Sequence, residues 1–286
     1  MVVNRFVDTL LHSHRIYVTD ASGVVETDMS SYEERIGRLG DSLSETGGCA
    51  VCFSGGLDST VLMDIAHRVL GDGAVAVIAD VPMMSDRQRD AAEKVLGHIG
   101  CRYVRVGVPA EDLKCILGNG HDRCYICKTA MYSAIRSVAE GIGIRTIVNG
   151  EIVDDLSEDR PGMVAGKENG ILTPMIDAGI TRSDVVRYID GMDLPLGLVK
   201  DTCMLMRFQE GTEVSWDDLR EVESLEDAVR SLTGLKQLRI RRVGDGYSVQ
   251  TSSLEYNVLE RCFPEVEELF GSRGLRAEIN RVGYDK

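Results

Sequence analysis

Two stretches of this 286-residue chain carry residue types at spacings that can do chemistry. The first is Ser54-Gly55-Gly56-Leu57-Asp58-Ser59, between the apolar run 49–53 and a segment, 60–70, with Val61, Ile65 and Val69 on one helical face. The glycines let the backbone bend tightly and approach a ligand closely. Unpaired N–H groups at the start of the following helix, aided by the helix dipole, then face an anion. Ser54 and Ser59 add hydroxyl donors. Asp58 would repel a phosphate unless a divalent cation bridges the two, so Mg²⁺ is implied. The spacing G-x-x-x-x-G-K-[ST] is absent, which argues against the γ-phosphate chemistry of kinases and GTPases. A bare S-G-G is more often an ordinary strand-to-helix turn. The Asp58-Ser59 continuation, with a strand before it and a helix after it, favours phosphate.

The second stretch is Cys124-Tyr125-Ile126-Cys127, followed by Lys128, with Cys203 standing 76 residues after Cys127. A C-x-x-C at the start of a helix can put two thiolates on one metal, and nearby positive charge lowers their pKa. A tetrahedral zinc site needs a fourth ligand, and no second pair of suitable geometry follows, because Cys49 and Cys52 lie in a strand-like run. Three cysteines suit a cubane iron–sulfur cluster with one iron left open, where an exogenous sulfide can sit. The competing reading is three small apolar side chains in a core. The cysteines at 49, 52, 101, 115 and 262 read as core.

These residues must be positioned by elements, and the pattern around them alternates. Strands are predicted at 49–53, 74–81, 103–108 and 146–149, with helices at 60–70, 85–99 and 127–140 between them. Alternating buried strands and amphipathic helices imply a parallel sheet covered on both faces. Residues 1–45 read as a helical extension, with Phe6, Leu10 and Leu11, then Tyr32, Ile36, Leu39 and Leu43, at helical spacing. After 208 the pattern changes to an acidic helix (214–232), a hairpin in which Leu238 and Ile240 alternate with Arg239 and Arg241, a helix (254–270) and a last strand (275–279). The expected organisation is therefore an extension (1–45), an α/β domain (46–208) and a small α+β C-terminal domain (209–286).

Composition bounds the partners. The net charge of −14 repels polyanions and argues against nucleic acid as the main partner. The longest aliphatic run, Ala74 to Ala79, falls far short of the roughly 20 residues that span a bilayer. Residues 1–8 lack a charged segment leading into an apolar one, so a cytoplasmic protein is expected. Eight cysteines in such a chain point to metal or thiol chemistry more than to disulfides.

The loop Ser54–Ser59 resembles the pyrophosphate loop (PP-loop) of the adenine nucleotide α-hydrolase superfamily. That resemblance implies a doubly wound, HUP-like α/β domain, cleavage of ATP between its α- and β-phosphates, and an adenine near residues 79–84. Further stretches line up with one family: Asp122-Arg123-Cys124-Tyr125-Ile126-Cys127-Lys128, Asp154-Asp155-Leu156, Asp159-Arg160-Pro161-Gly162, Leu172-Thr173-Pro174-Met175, Leu194-Pro195, and Thr202-Cys203-Met204-Leu205-Met206-Arg207-Phe208. In order and spacing they resemble the LarE family of sulfur-insertion enzymes, over most of 45–210 and weakly at the Arg239/Arg241 hairpin. The resemblance implies adenylation of a carboxylate of pyridinium-3,5-biscarboxylic acid mononucleotide, followed by replacement of AMP with sulfur. Some members sacrifice the sulfur of one cysteine, at the position of Cys203. Others carry three cysteines and a [4Fe-4S] cluster, the pattern that Cys124, Cys127 and Cys203 fit. ATP, Mg²⁺ and such a cluster are the implied cofactors, sulfide or another sulfur donor and a small nucleotide the implied partners, and a homo-oligomer the implied assembly. Asp58 and Cys203 become the expected catalytic residues, with Ser54, Gly55, Gly56 and Ser59 on the pyrophosphate.

Arg160 and Arg207 are candidates for the substrate phosphate through charge-assisted bonds, or else surface salt bridges. Lys128 is a third candidate, or a solvated helix residue. Asp154 and Asp155 could take metal or ribose, or cap a helix. A tRNA thiolase combines the same loop with a C-x-x-C and a distant third cysteine and is the main alternative. An amidating ligase of the NAD synthetase kind would not need the cysteines, and a nucleotide sensor without turnover would form no AMP.

Overall fold

The computed structural model describes residues 15–20, 23–28, 31–157, 160–192, 194 and 202–280. The first elements depart from the expected helical extension. Strands β1 (Arg15–Asp20) and β2 (Gly23–Asp28) form an antiparallel pair whose register closes at Asp20 and Gly23. The reason is local: both runs are rich in β-branched residues, which prefer extended backbone. Phe6, Leu10 and Leu11 lie outside the described residues. The helix expected around Tyr32 to Leu43 does form, as α1 (Tyr32–Glu45), opened by a capping box between Ser31 and Glu34.

The chain then alternates as the hydrophobic pattern demands: β3 (Cys49–Cys52), α2 (Leu57–Leu70), β4 (Ala74–Asp80), α3 (Asp86–Ile99), β5 (Arg102–Gly107), α4 (Arg123–Gly141) and β6 (Thr146–Val148). These four strands make one parallel sheet in the order β5-β4-β3-β6. Strand side chains alternate between two cores. Ala50, Val77, Ala79 and Ile147 join Tyr132 and Ile135 of α4. Cys49, Val51, Ala76, Ile78 and Val148 join α1, α2 and α3 through Leu39, Leu62 and Leu96. The order reverses at β3, with β4 on one side and β6 on the other. In open parallel sheets such a switch point opens a crevice beyond the carboxyl ends of the strands, where ligands bind.

Short helices α5 (Pro161–Glu168), α6 (Pro174–Asp177) and α7 (Arg182–Asp190) follow. The C-terminal layer comprises α8 (Trp216–Thr233), β7 (Leu238–Val243), β8 (Gly246–Thr251), α9 (Tyr256–Ser272) and β9 (Ala277–Ile279), with β8 between an antiparallel β7 and a parallel β9. This small layer is not set apart from the parallel sheet. One apolar cluster runs from Val77, Ala79 and Val81 through Met204 and Leu205 to Leu225, Ile240 and Phe270.

A buried ion pair fastens this junction. Arg207 closes the 3₁₀ turn Met204–Arg207 and is fully buried. Its Nε donates to Glu226 Oε1 at 2.8 Å and its Nη1 to Thr202 Oγ1 at 2.7 Å. Glu226 also accepts from the backbone N–H of Ile240 at 3.0 Å and from Arg230 Nη2 at 2.8 Å. Removing one partner of such a pair leaves an uncompensated buried charge, at a cost of about 3–5 kcal/mol. Urea denaturation of Glu226→Ala should show a loss of that size. The double variant Arg207→Met/Glu226→Leu should recover most of it.

Candidate functional site

The crevice at the switch point is built by the exits of β3 and β6. After β3, Phe53 still donates its N–H to Val77 O at 3.0 Å, and the chain then turns through Ser54-Gly55-Gly56 into α2. Gly55 has φ +76°, and a Cβ there would stand 2.9 Å from the Ala92 Cβ on α3. The turn therefore needs glycine both for its backbone and for its fit against α3. After β6, Gly150 lies against the first turn of α2: a Cβ would come within 2.9 Å of the Ser59 backbone nitrogen. Gly150, which the sequence reading did not single out, is what lets the two exits meet.

Helices α1, α3, α7 and α8 each open with a side-chain capping box. Helix α2 opens at Gly56, which has no side chain and makes no cap hydrogen bond. Its first N–H groups are thus left available for an anion at the positive end of the helix. Ser59 Oγ donates to Gly56 O at 3.0 Å and lies 3.2 Å from Ser54 Oγ, so the two hydroxyls hold the turn in shape.

A cavity of about 220 Å³ opens over this turn. Ser54, Gly56, Asp58 and Ser59 line it together with Lys128 and Arg160, while Phe53, Val77, Ala79, Met131 and Ile135 supply apolar walls. An anion-binding end and an apolar end match the two halves of a nucleotide. Burial raises the Asp58 carboxyl above its ordinary value, an effect opposed by the Arg182 guanidinium 2.5 Å away. Lys128 Nζ sits 2.9 Å from Glu151 Oε1. Burial works against the ammonium, but Tyr132 and Glu151 outweigh it and hold the Lys128 pKa above its usual value. Arg160 Nη1 pairs with Asp155 Oδ1 at 2.9 Å. Asp155 also accepts from the Ile152 N–H, and Asp154 accepts from the Arg182 N–H, so these carboxylates do turn and cap work.

The cysteines form a second group beside the first. Cys124 and Cys127 lie on the first turns of α4, and Lys128, next to Cys127, reaches into the cavity. Burial above all, helped by the sulfurs of Cys203 and Cys124 and opposed by Lys128, pushes the Cys127 thiol up to about 12. The Cys203 thiol is also raised, by burial and by Cys124, while Arg207 and Arg123 act in the opposite direction. Met131 stands 3.6 Å from the Cys127 sulfur, measured sulfur to sulfur, and adds a soft neighbour. Among the described residues, no group of three or more His, Cys, Asp or Glu side chains is gathered tightly enough for a single metal ion.

Arg207 is a correction. Expected on a substrate phosphate, it is instead buried and paired with Glu226, because a guanidinium inside a core must be matched by a carboxylate. A different basic site lies nearby, on the sheet face away from Leu238 and Ile240. Arg239 and Arg241 of β7 stand opposite Gln250 and Ser248 of β8, on one face by register. Among the described residues, Arg241 Nε, Ser248 Oγ, Gln250 Oε1 and Ser252 Oγ are buried without a hydrogen-bond partner. Burial, Arg239 and Arg207 all lower the Arg241 pKa, which marks a place short of negative charge. The alternation of Arg239 and Arg241 was visible in the sequence, but the covering of that face was not.

Fold and crevice together define an α/β protein with a glycine turn at the switch point of a parallel sheet, an arrangement consistent with a PP-loop domain. No family model matches the chain. It is 29% identical over 210 residues to an uncharacterised protein of Synechocystis, a match spanning 73% of this chain and 78% of that protein. It is also 29% identical over 193 residues to the pyridinium-3,5-bisthiocarboxylic acid mononucleotide synthase of Lactiplantibacillus plantarum, over 67% of this chain and 70% of that one. A more distant similarity, 23% over 146 residues, is to one of the subunits of the glutamine-hydrolyzing GMP synthase of Archaeoglobus fulgidus, over 50% of this chain and 45% of that protein. Among the described residues, no helix is long and apolar enough to cross a membrane.

The close approach at Gly150 gives a direct test. Gly150→Ala should push β6 away from the turn and destabilise the protein by about 1–3 kcal/mol, the usual range for overpacking. Gly118→Ala, where a Cβ would meet nothing within 4 Å, should cost much less in the same urea titration.

Proposed function

We propose that this chain is an ATP-dependent sulfurtransferase. It adenylates a carboxylate of pyridinium-3,5-biscarboxylic acid mononucleotide and replaces the AMP with sulfur. The observation that carries the reading is adjacency. The turn of α2 and Lys128 of α4 line one cavity, and Cys127 directly precedes Lys128 in that helix, one residue outside the lining. The similarity to the L. plantarum synthase supports the choice of substrate.

The chemistry follows from the groups present. A carboxylate is a poor electrophile. Its oxygen attacks the α-phosphorus of ATP, the bond to the β-phosphate oxygen breaks, and pyrophosphate leaves. The Ser54–Ser59 turn binds the departing phosphates through its N–H and hydroxyl groups. Asp58, partly exposed at the cavity wall, would hold Mg²⁺ against them. The acyl adenylate then loses AMP to a sulfur nucleophile, giving a thiocarboxylate. Lys128 and Arg160 line the cavity where negative charge develops, each kept in place by its carboxylate partner. The buried, unpartnered polar atoms around Arg241 suit the phosphate of the mononucleotide.

Cys124, Cys127 and Cys203 would hold the [4Fe-4S] cluster. The donor set fits it by chemistry: three cysteine sulfurs, two from the first turns of α4 and one from the start of the turn Met204–Arg207, are the soft ligands that such a cluster takes. When bound, such a cluster with one iron free of protein ligands supplies sulfide for the second step. Protein purified anaerobically should contain about four irons and four sulfides per chain, as in a [4Fe-4S] cluster. It should show the visible absorption of such a cluster. Cys124→Ala, Cys127→Ala and Cys203→Ala should each lose iron and colour together. Colourless, iron-free wild-type protein would contradict the cluster and leave Cys203 as the sulfur donor.

A further inference from the structure

Cys203 follows Cys127 by 76 residues, so chain continuity does not bring its turn to α4. The segment before the C-x-x-C and the segment after Cys203 run side by side instead. Val214 N–H donates to Leu117 O at 2.8 Å and Gly211 N–H to Asn119 O at 2.9 Å. Asn119 is fully buried at φ +49°, in the left-handed region that asparagine tolerates. Its Nδ2 donates to Gln209 O at 2.9 Å. These bonds hold residues 209–214. None of them reaches the turn Met204–Arg207, which directly follows Cys203.

Arg123 reaches it. This residue is the first of α4 and the neighbour of Cys124. Its Nη2 donates to Met206 Sδ at 3.3 Å and its Nη1 to Glu210 Oε2 at 3.2 Å. Met206 N–H in turn donates to Cys203 O at 2.9 Å. The guanidinium is also held by its own loop, with Nη1 3.1 Å from Gly120 O, and the side chain is only 13% exposed. A planar fork held in this way donates along fixed directions. Neither cross-segment bond is a strong one. A thioether is a weak acceptor. The Glu210 carboxylate is more than half exposed, where an ion pair contributes little. The contact therefore adds little to stability and much to placement. Arg207 ties the Cys203 turn to α8, and Arg123 ties the same turn to α4.

We propose that Arg123 is a positioning residue of the three-cysteine site. It locks the turn that carries Cys203 onto the start of the helix that carries Cys124 and Cys127. The lock is closed in the protein without metal, so the third cysteine is delivered to the other two before iron arrives. This inference rests on the reading that the three cysteines work together.

The test reads cysteine placement in the full-length chain, with thiols reduced and iron removed by a chelator. Cys124 and Cys203 are both exposed and open to reagent. The short bis-maleimide bismaleimidoethane would be added, and the rate at which the Cys203 peptide joins the 124–128 peptide followed by mass spectrometry. Loss of a hydrogen bond of ordinary net strength predicts a rate roughly 3- to 10-fold lower in Arg123→Gln. Its urea midpoint should stay close to that of wild type. Arg123→Lys should regain part of the rate. Arg145→Gln, an equal change of charge beyond the far end of α4, should match wild type. If Arg123→Gln proves poorly folded, Met206→Leu removes the acceptor at the other end of the contact without changing charge, and should slow the same cross-link. Equal rates in wild type and Arg123→Gln would overturn the proposal while leaving the three-cysteine reading standing. So would a wild-type rate in Met206→Leu. Wild type in which Cys203 never joins the 124–128 peptide would overturn both.

Discussion

The buried pair of Arg207 and Glu226 is the constraint on which the arrangement of the site depends. It joins the turn that follows Cys203 to helix α8, and through the Ile240 N–H it reaches strand β7. Cys203, at the start of that turn, lies on a different part of the chain from Cys124 and Cys127 of α4. Strand β7 carries Arg239 and Arg241. One ion pair thus fixes the third cysteine and the basic sheet face relative to each other. A buried ion pair is seldom the most stable solution for a core, because desolvation opposes the attraction. Here it does something an apolar contact would do less well: it binds two directional partners at once and leaves little freedom of register.

The cavity has a different physical origin. A parallel sheet whose strand order reverses at β3 leaves a crevice beyond the strand ends, and glycine at positions 55 and 150 lets the walls close around it. Among the described residues α1, α3, α7 and α8 open with a capping side chain, whereas α2, like α4, α5, α6 and α9, does not, and α2 is the one whose first turn lines the crevice. Positive charge around the crevice is present but held in pairs: Lys128 with Glu151, Arg160 with Asp155, Arg182 with Asp58. A chain of net charge −14 can in this way keep an anion site without collecting anions indiscriminately.

Much of this was legible in the sequence where the determinants are local. The run Cys49–Cys52, the glycine turn and the helix after it are contiguous, and period and turn chemistry suffice for them. The hairpin of β1 and β2 escapes helical periodicity because its determinant is the β-branched content of 15–28, not the spacing of the apolar residues on either side. The burial of Arg207 is hidden for a different reason. Its partner Glu226 lies 19 residues away on another helix, and nothing in the spacing of an arginine after a cysteine reveals that the core closes over it. Gly150, Glu151 and Arg182 carried no signal for the same reason: each acquires its role only when β6 and α7 are laid against α2. The strand period of Arg239 and Arg241 was plain, whereas the burial of that face is a tertiary fact.

The central claim is that one chain both activates a carboxylate with ATP and delivers sulfur to it. The most direct measurement is anaerobic incubation of the purified protein with ATP, Mg²⁺, sulfide and pyridinium-3,5-biscarboxylic acid mononucleotide, followed by mass spectrometry of the small molecules. The account predicts AMP and pyrophosphate in step with exchange of carboxylate oxygen for sulfur in the mononucleotide, and neither product in its absence. Unchanged mononucleotide and no AMP, from protein shown to bind both ATP and the mononucleotide, would contradict it.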